Sequence, residues 1–234
     1  MKDFRVYYGI PTYTQFNRAK QAIEHIMETS SLIPDQIVVI DNSGSGAALP
    51  VIQPVLERYT SVQLIPRETN ILSGAWNDLM NLFPDDYIII ANDDVKPHKH
   101  SIEALVTAAR TTPEVAMFNG SGHSGNSYSF FLLRKWAYTR VGPFDEKFRP
   151  AYFEDNDYDY RLRILAGLIR QEVSAATFDH VGSATMKAMT PEQLAKHHML
   201  FARSERYYMD KWGNTPGKER FTEPFQDIYK FLDD

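Results

Sequence analysis

The chain has 234 residues, 43% hydrophobic and 24% charged, with a net charge of −5 and no cysteine. That length suits one large α/β domain with its own core, or one domain with a short appendage. The acidic balance argues against the basic field of a nucleic-acid binder, and the missing cysteines exclude disulfides, thiolate metal sites and cysteine nucleophiles. The first residues, Met1 to Ile10, carry charges where a signal peptide would be apolar, and no window suits a bilayer span. The expectation is a soluble, cytoplasmic protein.

Phe4 to Ile10 reads as a first strand, ended by Pro11 and Thr12. Thr14 is a candidate N-cap for a helix from about Gln15 to Met27, with Phe16, Ala19, Ile23, Ile26 and Met27 on one face. Gln36 to Ile40 is a second, buried strand running into Asp41-Asn42-Ser43-Gly44-Ser45-Gly46. A carboxylate after a strand end can hold a ribose or a base edge, although a plain turn accounts for the loop equally well. Its glycine spacing is not a dinucleotide fingerprint. Val51 to Arg58 reads as a helix interrupted by Pro54, and Val62 to Ile65 as a third strand. Asn70 then precedes a helix with Ser73 as candidate N-cap, Gly74 open to close approach by a ligand, and Trp76 in the core.

Tyr87 to Ala91 is a buried strand ending in Asn92-Asp93-Asp94. Open α/β sheets place ligands at such strand ends, and two adjacent carboxylates suit a hard divalent metal. The same residues also serve as ordinary turn and cap residues. A helix from about His98 to Ala109 and a strand from Val115 to Phe118 follow. Strands alternating with helices imply βα units and a largely parallel sheet.

The second half has a Gly/Ser/Asn loop from Asn119 to Asn126, a strand from Tyr128 to Leu133 and a short helix from Arg134 to Val141. Glu154-Asp155-Asn156-Asp157-Tyr158-Asp159 then opens a helix ending near Gly167. The helix dipole accounts for Asp157 and Asp159, and Asp159 can pair with Arg163. Glu154 and Asp155 stand as a pair behind Tyr152 and Phe153, a pocket wall, and a carboxylate there is a candidate general base. Ile169 to Phe178 reads as a strand followed by Asp179, His180 and the small residues Gly182 and Ser183. His180 there is either a structural residue or a metal ligand. From Pro191 a helix reaches about Trp212. The stretch from Lys187 to Arg220 carries seven Lys and Arg against four Asp and Glu. It reads as an amphipathic helix packed on the domain in preference to an anionic docking face.

In this order the segments resemble the family 2 glycosyltransferases of GT-A fold. The likeness rests on Ile10-Pro11-Thr12-Tyr13, Val39 to Ser45 around Asp41, and Asn70 with Gly74 and Asn77. Asn92-Asp93-Asp94 matches the family's acidic triplet with Asn92 in place of the first acid. Phe153 to Asp157 with Tyr160-Arg161, and finally His180, complete it. The resemblance covers about residues 4–185.

The resemblance implies a Rossmann-like, mostly parallel central sheet flanked by helices, with a helical C-terminal appendage. Residues 1–186 would form the catalytic domain, with a nucleotide-binding half of about 1–96 and an acceptor half of about 97–186; residues 187–234 would form a helix and tail packed on it. It further implies a nucleoside diphosphate-sugar donor (UDP- or TDP-sugar), Mn²⁺ or Mg²⁺ held by Asp94 and His180, and transfer with inversion to an acceptor hydroxyl. Asp155 would be the base, and Glu154 would alternatively orient the acceptor. Pro11, Thr12, Tyr13, Asp41, Asn42, Asn70, Gly74, Asn77, Asn92 and Asp93 would line the nucleotide. A glycan, lipid-linked sugar, small molecule, protein or modified nucleic-acid base all remain open as acceptor. The competing readings are a nucleotidyltransferase, a retaining transferase and a non-catalytic binding module on the same scaffold.

Overall fold

The computed structural model describes residues 4–84, 87–122, 127–180 and 190–226. The elements run β1 (Val6–Thr12), α1 (Phe16–Thr29), β2 (Gln36–Asp41), α2 (Leu49–Arg58), β3 (Val62–Pro66), α3 (Leu72–Leu82), β4 (Tyr87–Ala91) and β5 (Val95–Pro97). They continue with α4 (Ser101–Thr111), β6 (Val115–Ser121), β7 (Phe130–Leu133), α5 (Lys135–Val141), α6 (Glu154–Asp159), a π-helical turn (Tyr160–Leu165), β8 (Ile169–His180) and α7 (Pro191–Trp212). The strand order is β3-β2-β1-β4-β7-β6-β8-β5. β3, β2, β1 and β4 are mutually parallel; β7 runs antiparallel to both β4 and β6.

The buried strands divide their side chains between the two sheet faces with the period of two that a pleated strand imposes. Tyr8, Ile10, Val39 and Ile89 pack with Ala19, Ile23, Ile52 and Leu105 on one face. Tyr7, Val38, Ile40, Ile88 and Ile90 pack with Trp76, Leu79, Phe131 and Phe144 on the other. Covered on both faces, such strands read as continuous apolar runs, which is why Ile37 to Ile40 and Ile88 to Ile90 are recognisable. Gly9 lets α3 settle onto β1, because a Cβ there would lie 2.4 Å from a Leu79 methyl.

Several local expectations are corrected. Helix α1 starts at Phe16 with Gln15 at its N-cap, not Thr14, and α3 has Ile71 at its N-cap, with Ser73 buried inside the helix. Pro54 does not interrupt α2, which runs through it; as the sixth residue of a ten-residue helix it removes the one donor that would have met the Pro50 carbonyl, and the burial of Ile52 and Val55 holds the helix on either side. The helix expected from His98 begins at Ser101. The strand expected to end at Phe118 continues to Ser121, into the supposed loop. The helix opened by Glu154 ends in π-helical geometry, with Gly167 in the left-handed region at φ +62 just after it. Residues 123–126 and 181–189, including Gly182 and Ser183, lie outside the described residues.

Helix α7 docks through a separate aromatic cluster in which Tyr208 and Trp212 pack against Phe148, Phe153 and Tyr160. Its anchor is polar. Fully buried Asp157 accepts from Arg161 Nε at 2.9 Å and Trp212 Nε1 at 2.9 Å, with Lys211 Nζ at 2.7 Å. Lys211 also reaches Asp145 at 2.6 Å, and Tyr207 donates to that same carboxylate. Burial raises Asp145, but the hydrogen bond and charge of Lys211 outweigh it and hold the group below its ordinary range. Asp157 therefore does more than cap its own helix. Among the described residues no helix is long and apolar enough to cross a membrane.

Candidate active site

The strand order reverses at β1, with β2 and β3 laid down on one side of it and β4 on the other; ligands of open α/β sheets bind beyond the strand ends at such a point. The segments leaving these strands meet there. The Asn42 amide donates to the Thr12 carbonyl at 2.8 Å, and Thr12 Oγ1 donates to Asp93 Oδ2 at 2.7 Å. Burial first, and the charge of Asp94 with it, push Asp93 up to about 6, against the Thr12 bond and the Arg18 guanidinium.

Asp94 turns away from Asp93 into β5, which pairs antiparallel with the end of β8 so that Val95 faces His180. This pairing brings two distant sequence positions together. His180 Nε2 lies 3.0 Å from Asp94 Oδ1, with side chains only 13% and 14% exposed. Arg18, from α1, approaches the other Asp94 oxygen at 3.8 Å. Asn92 starts this turn, its amide donating to the Ser129 carbonyl at 3.0 Å. One carboxylate oxygen and one imidazole nitrogen form a donor set that suits a divalent cation of hard or borderline character, with remaining positions left to water and phosphate oxygens. Among the described residues no group of three acidic, His or Cys side chains converges.

The loop after β2 is built on Asp41, whose two oxygens accept the amides of Ser43 at 2.8 Å and Ala48 at 3.1 Å. Asp41 is 1% exposed and holds its own loop against the start of α2. Asn42 beside it is buried, and its Oδ1 has no partner among the described residues. A buried unpaired acceptor is costly, so this oxygen is the better-placed atom of the loop for a base or ribose. Pro11 is buried in β1, Tyr13 is 49% exposed at its mouth, and Asn70 is half-buried ahead of α3.

Two expectations about α3 change. The space at Gly74 is taken by the Arg67 guanidinium, 2.6 Å from where a Cβ would stand; Arg67 is paired with Asp78 at 2.9 Å. Asn77 spends its amide on the segment after α5: it donates to the Phe144 carbonyl and Glu146, and accepts from the Phe144 amide and Tyr138 hydroxyl. Asn77 is thus a brace for that turn, and nothing of its amide is left over for a nucleotide.

Glu154 and Asp155 emerge from a turn in which Tyr152 (φ +83) and Phe153 (φ +69) both lie in the left-handed region. For non-glycine residues this costs roughly 1–2 kcal/mol each, so the surrounding structure must hold the turn in place. Glu154 is 4% exposed and its Oε2 has no partner among the described residues. Burial, with the Asp155 charge adding to it, raises Glu154 well above the ordinary carboxylate range. Asp155 is partly exposed, with one oxygen accepting the Asn156 amide at 2.8 Å. Tyr128 directly precedes Ser129, whose carbonyl holds Asn92, and burial pushes its hydroxyl well up, with smaller contributions from the charges of Asp159, Tyr158 and Asp155 against that of Arg170.

The family model described as glycosyl transferase family 2 matches residues 8–169, which takes in Asp41, Asp93, Asp94, Glu154 and Asp155 and stops short of His180. The chain belongs to glycosyltransferase family 2. No curated protein sequence matches it. A mannosyltransferase from Pyrobaculum calidifontis, PcManGT, solved with GDP-Man and Mn²⁺, is similar in fold with a TM-score of 0.62 at 12% identity, over 89% of this chain and 71% of that one. Glucosyl-3-phosphoglycerate synthase from Mycobacterium tuberculosis, solved with Mn²⁺, UDP and glucosyl-3-phosphoglycerate, gives 0.63 at 10% identity, over 92% and 82%. This glycosyltransferase therefore has the GT-A architecture implied by its sequence motifs. Arg18, Arg67 and Tyr128 carry no sequence signal of their own: each reaches the site from an element whose direction only the fold fixes.

Proposed function

We propose that this glycosyltransferase moves a sugar from a UDP- or TDP-sugar to an acceptor hydroxyl, with inversion and with a divalent metal held by Asp94 and His180. The observation that carries the reading is the 3.0 Å approach of these two side chains, made by pairing β5 with β8. When bound, Mn²⁺ or Mg²⁺ would neutralise charge growing on the leaving diphosphate. The Asp41–Asn42 loop and Thr12 receive the nucleoside, with Asn70 beside them and Asp93 near the ribose. Asp155, which solvent reaches, takes the acceptor hydroxyl proton as that oxygen bonds to the anomeric carbon. The bond to the diphosphate oxygen breaks and its electron pair leaves with the nucleoside diphosphate. Glu154, whose neutral form burial favours, donates a hydrogen bond that orients the acceptor. Asp155 is the better base because burial, with the Asp155 charge beside it, raises Glu154 well above its ordinary range and favours its neutral form.

Calorimetric titration of UDP with Mn²⁺, then with EDTA, tests the metal assignment in the wild type and in Asp94→Ala. Binding that weakens at least tenfold on chelation and in the variant supports it. Equal affinity in all three sinks it. TDP, GDP and CDP in the same cell decide the base.

A further inference from the structure

Helix α7 reaches beyond its own anchor to the strained turn. The Tyr152 hydroxyl and His197 Nδ1 share a hydrogen bond of 2.7 Å, and their rings meet edge to face at 5.1 Å. Phe201, one turn further along α7, packs on Tyr152 at 5.5 Å and on Phe153 at 5.1 Å. Ser204 donates to the Ala151 carbonyl at 3.2 Å, and Arg203 donates to the Arg149 carbonyl. Tyr152 is the first of two consecutive left-handed residues, and Asp155 stands three residues on. Any relaxation of Tyr152 towards the extended region swings the following backbone, and the two carboxyl groups with it. The backbone at Ala151 and the ring of Phe153 have other supports; the Tyr152 hydroxyl has His197.

We propose that His197 is a positioning residue for transfer: by holding the Tyr152 hydroxyl it fixes the turn that aims Asp155 and Glu154. This rests on the assignment of Asp155 as base. It gives α7 a part in the reaction, although it follows the acid motif by some forty residues.

The test uses the full chain with His197→Ala, His197→Asn, Tyr152→Phe and the Ala/Phe double variant. Asparagine places a polar atom where Nδ1 stands, so it restores the bond. Since small misplacements of a reacting group cost up to about 100-fold, a fall in kcat of roughly tenfold is expected in His197→Ala and Tyr152→Phe. The double variant falls no further, because both changes break one bond. UDP affinity stays unchanged, His197→Asn recovers, and amide exchange in residues 151–156 quickens in the impaired variants. Unaltered kcat, losses that multiply in the double variant, or unaltered exchange overturns the proposal. If the wild type turns over no donor, the assignment of the base fails, and exchange still shows whether His197 holds the turn.

Discussion

Adjacent carboxylates here stand in opposite surroundings, one inside the protein and the other within reach of solvent. Glu154 is buried without a partner for Oε2, whereas Asp155 is partly exposed. A carboxyl whose folded pKa is raised stabilises the fold relative to its ionised state at low pH, and that contribution is lost as pH rises through the folded value. Glu154→Gln, which never ionises, should therefore gain in melting temperature over the wild type as pH rises from its ordinary 4.5 towards alkaline values. A difference independent of pH, followed by calorimetric scans, would mean that Glu154 is not buried as a neutral acid. The acid pair was legible in the sequence because two carboxyls after two aromatics exceed what a helix N-terminus needs. Their difference in burial was not, since it depends on Tyr152, Phe153 and α7, which are assembled only by the fold. Asn77 shows the converse: its spacing suits the family motif, while its amide is fully committed to Phe144, Glu146 and Tyr138.

Among the elements, β5 has the largest consequence for its length. Three residues after the Asn92-Asp93-Asp94 turn pair with the end of β8 and bring His180 to Asp94. So short a strand has no periodicity to read, and the sequence shows His180 only as an isolated imidazole after a strand. The long buried strands, by contrast, announce themselves as β-branched runs. The same limit applies to α7, whose amphipathic pattern is plain but whose docking through Asp157 is not. Lys211→Met leaves Asp145 without its cation and strips Asp157 of one of its two. Breaking a buried pair in this way should cost about 3 kcal/mol, measurable as a lower urea midpoint. A loss under about 0.5 kcal/mol, as for an exposed pair, would place this cluster in water.

Across the whole molecule, an acidic chain carries a mildly basic C-terminal stretch, and the fold engages three of its seven cations. Lys211 is buried on Asp145 and Asp157, Arg203 holds a backbone carbonyl, and Arg206 pairs with Asp210 at 2.9 Å. Cations engaged in packing are poor counterions for phosphate, so single-stranded DNA and RNA should bind more weakly than about 100 µM at physiological salt. Fluorescence anisotropy showing tighter, strongly salt-dependent binding would instead make nucleic acid an acceptor candidate. The central claim is that the family scaffold here is a working transferase with Asp155 as its base. It is tested most directly by turnover of a panel of UDP-, TDP- and GDP-sugars in the wild type and Asp155→Asn. Release of nucleoside diphosphate from at least one donor is expected, with kcat reduced about 100-fold or more in the variant and nucleotide affinity kept. Equal turnover in the two proteins would contradict it.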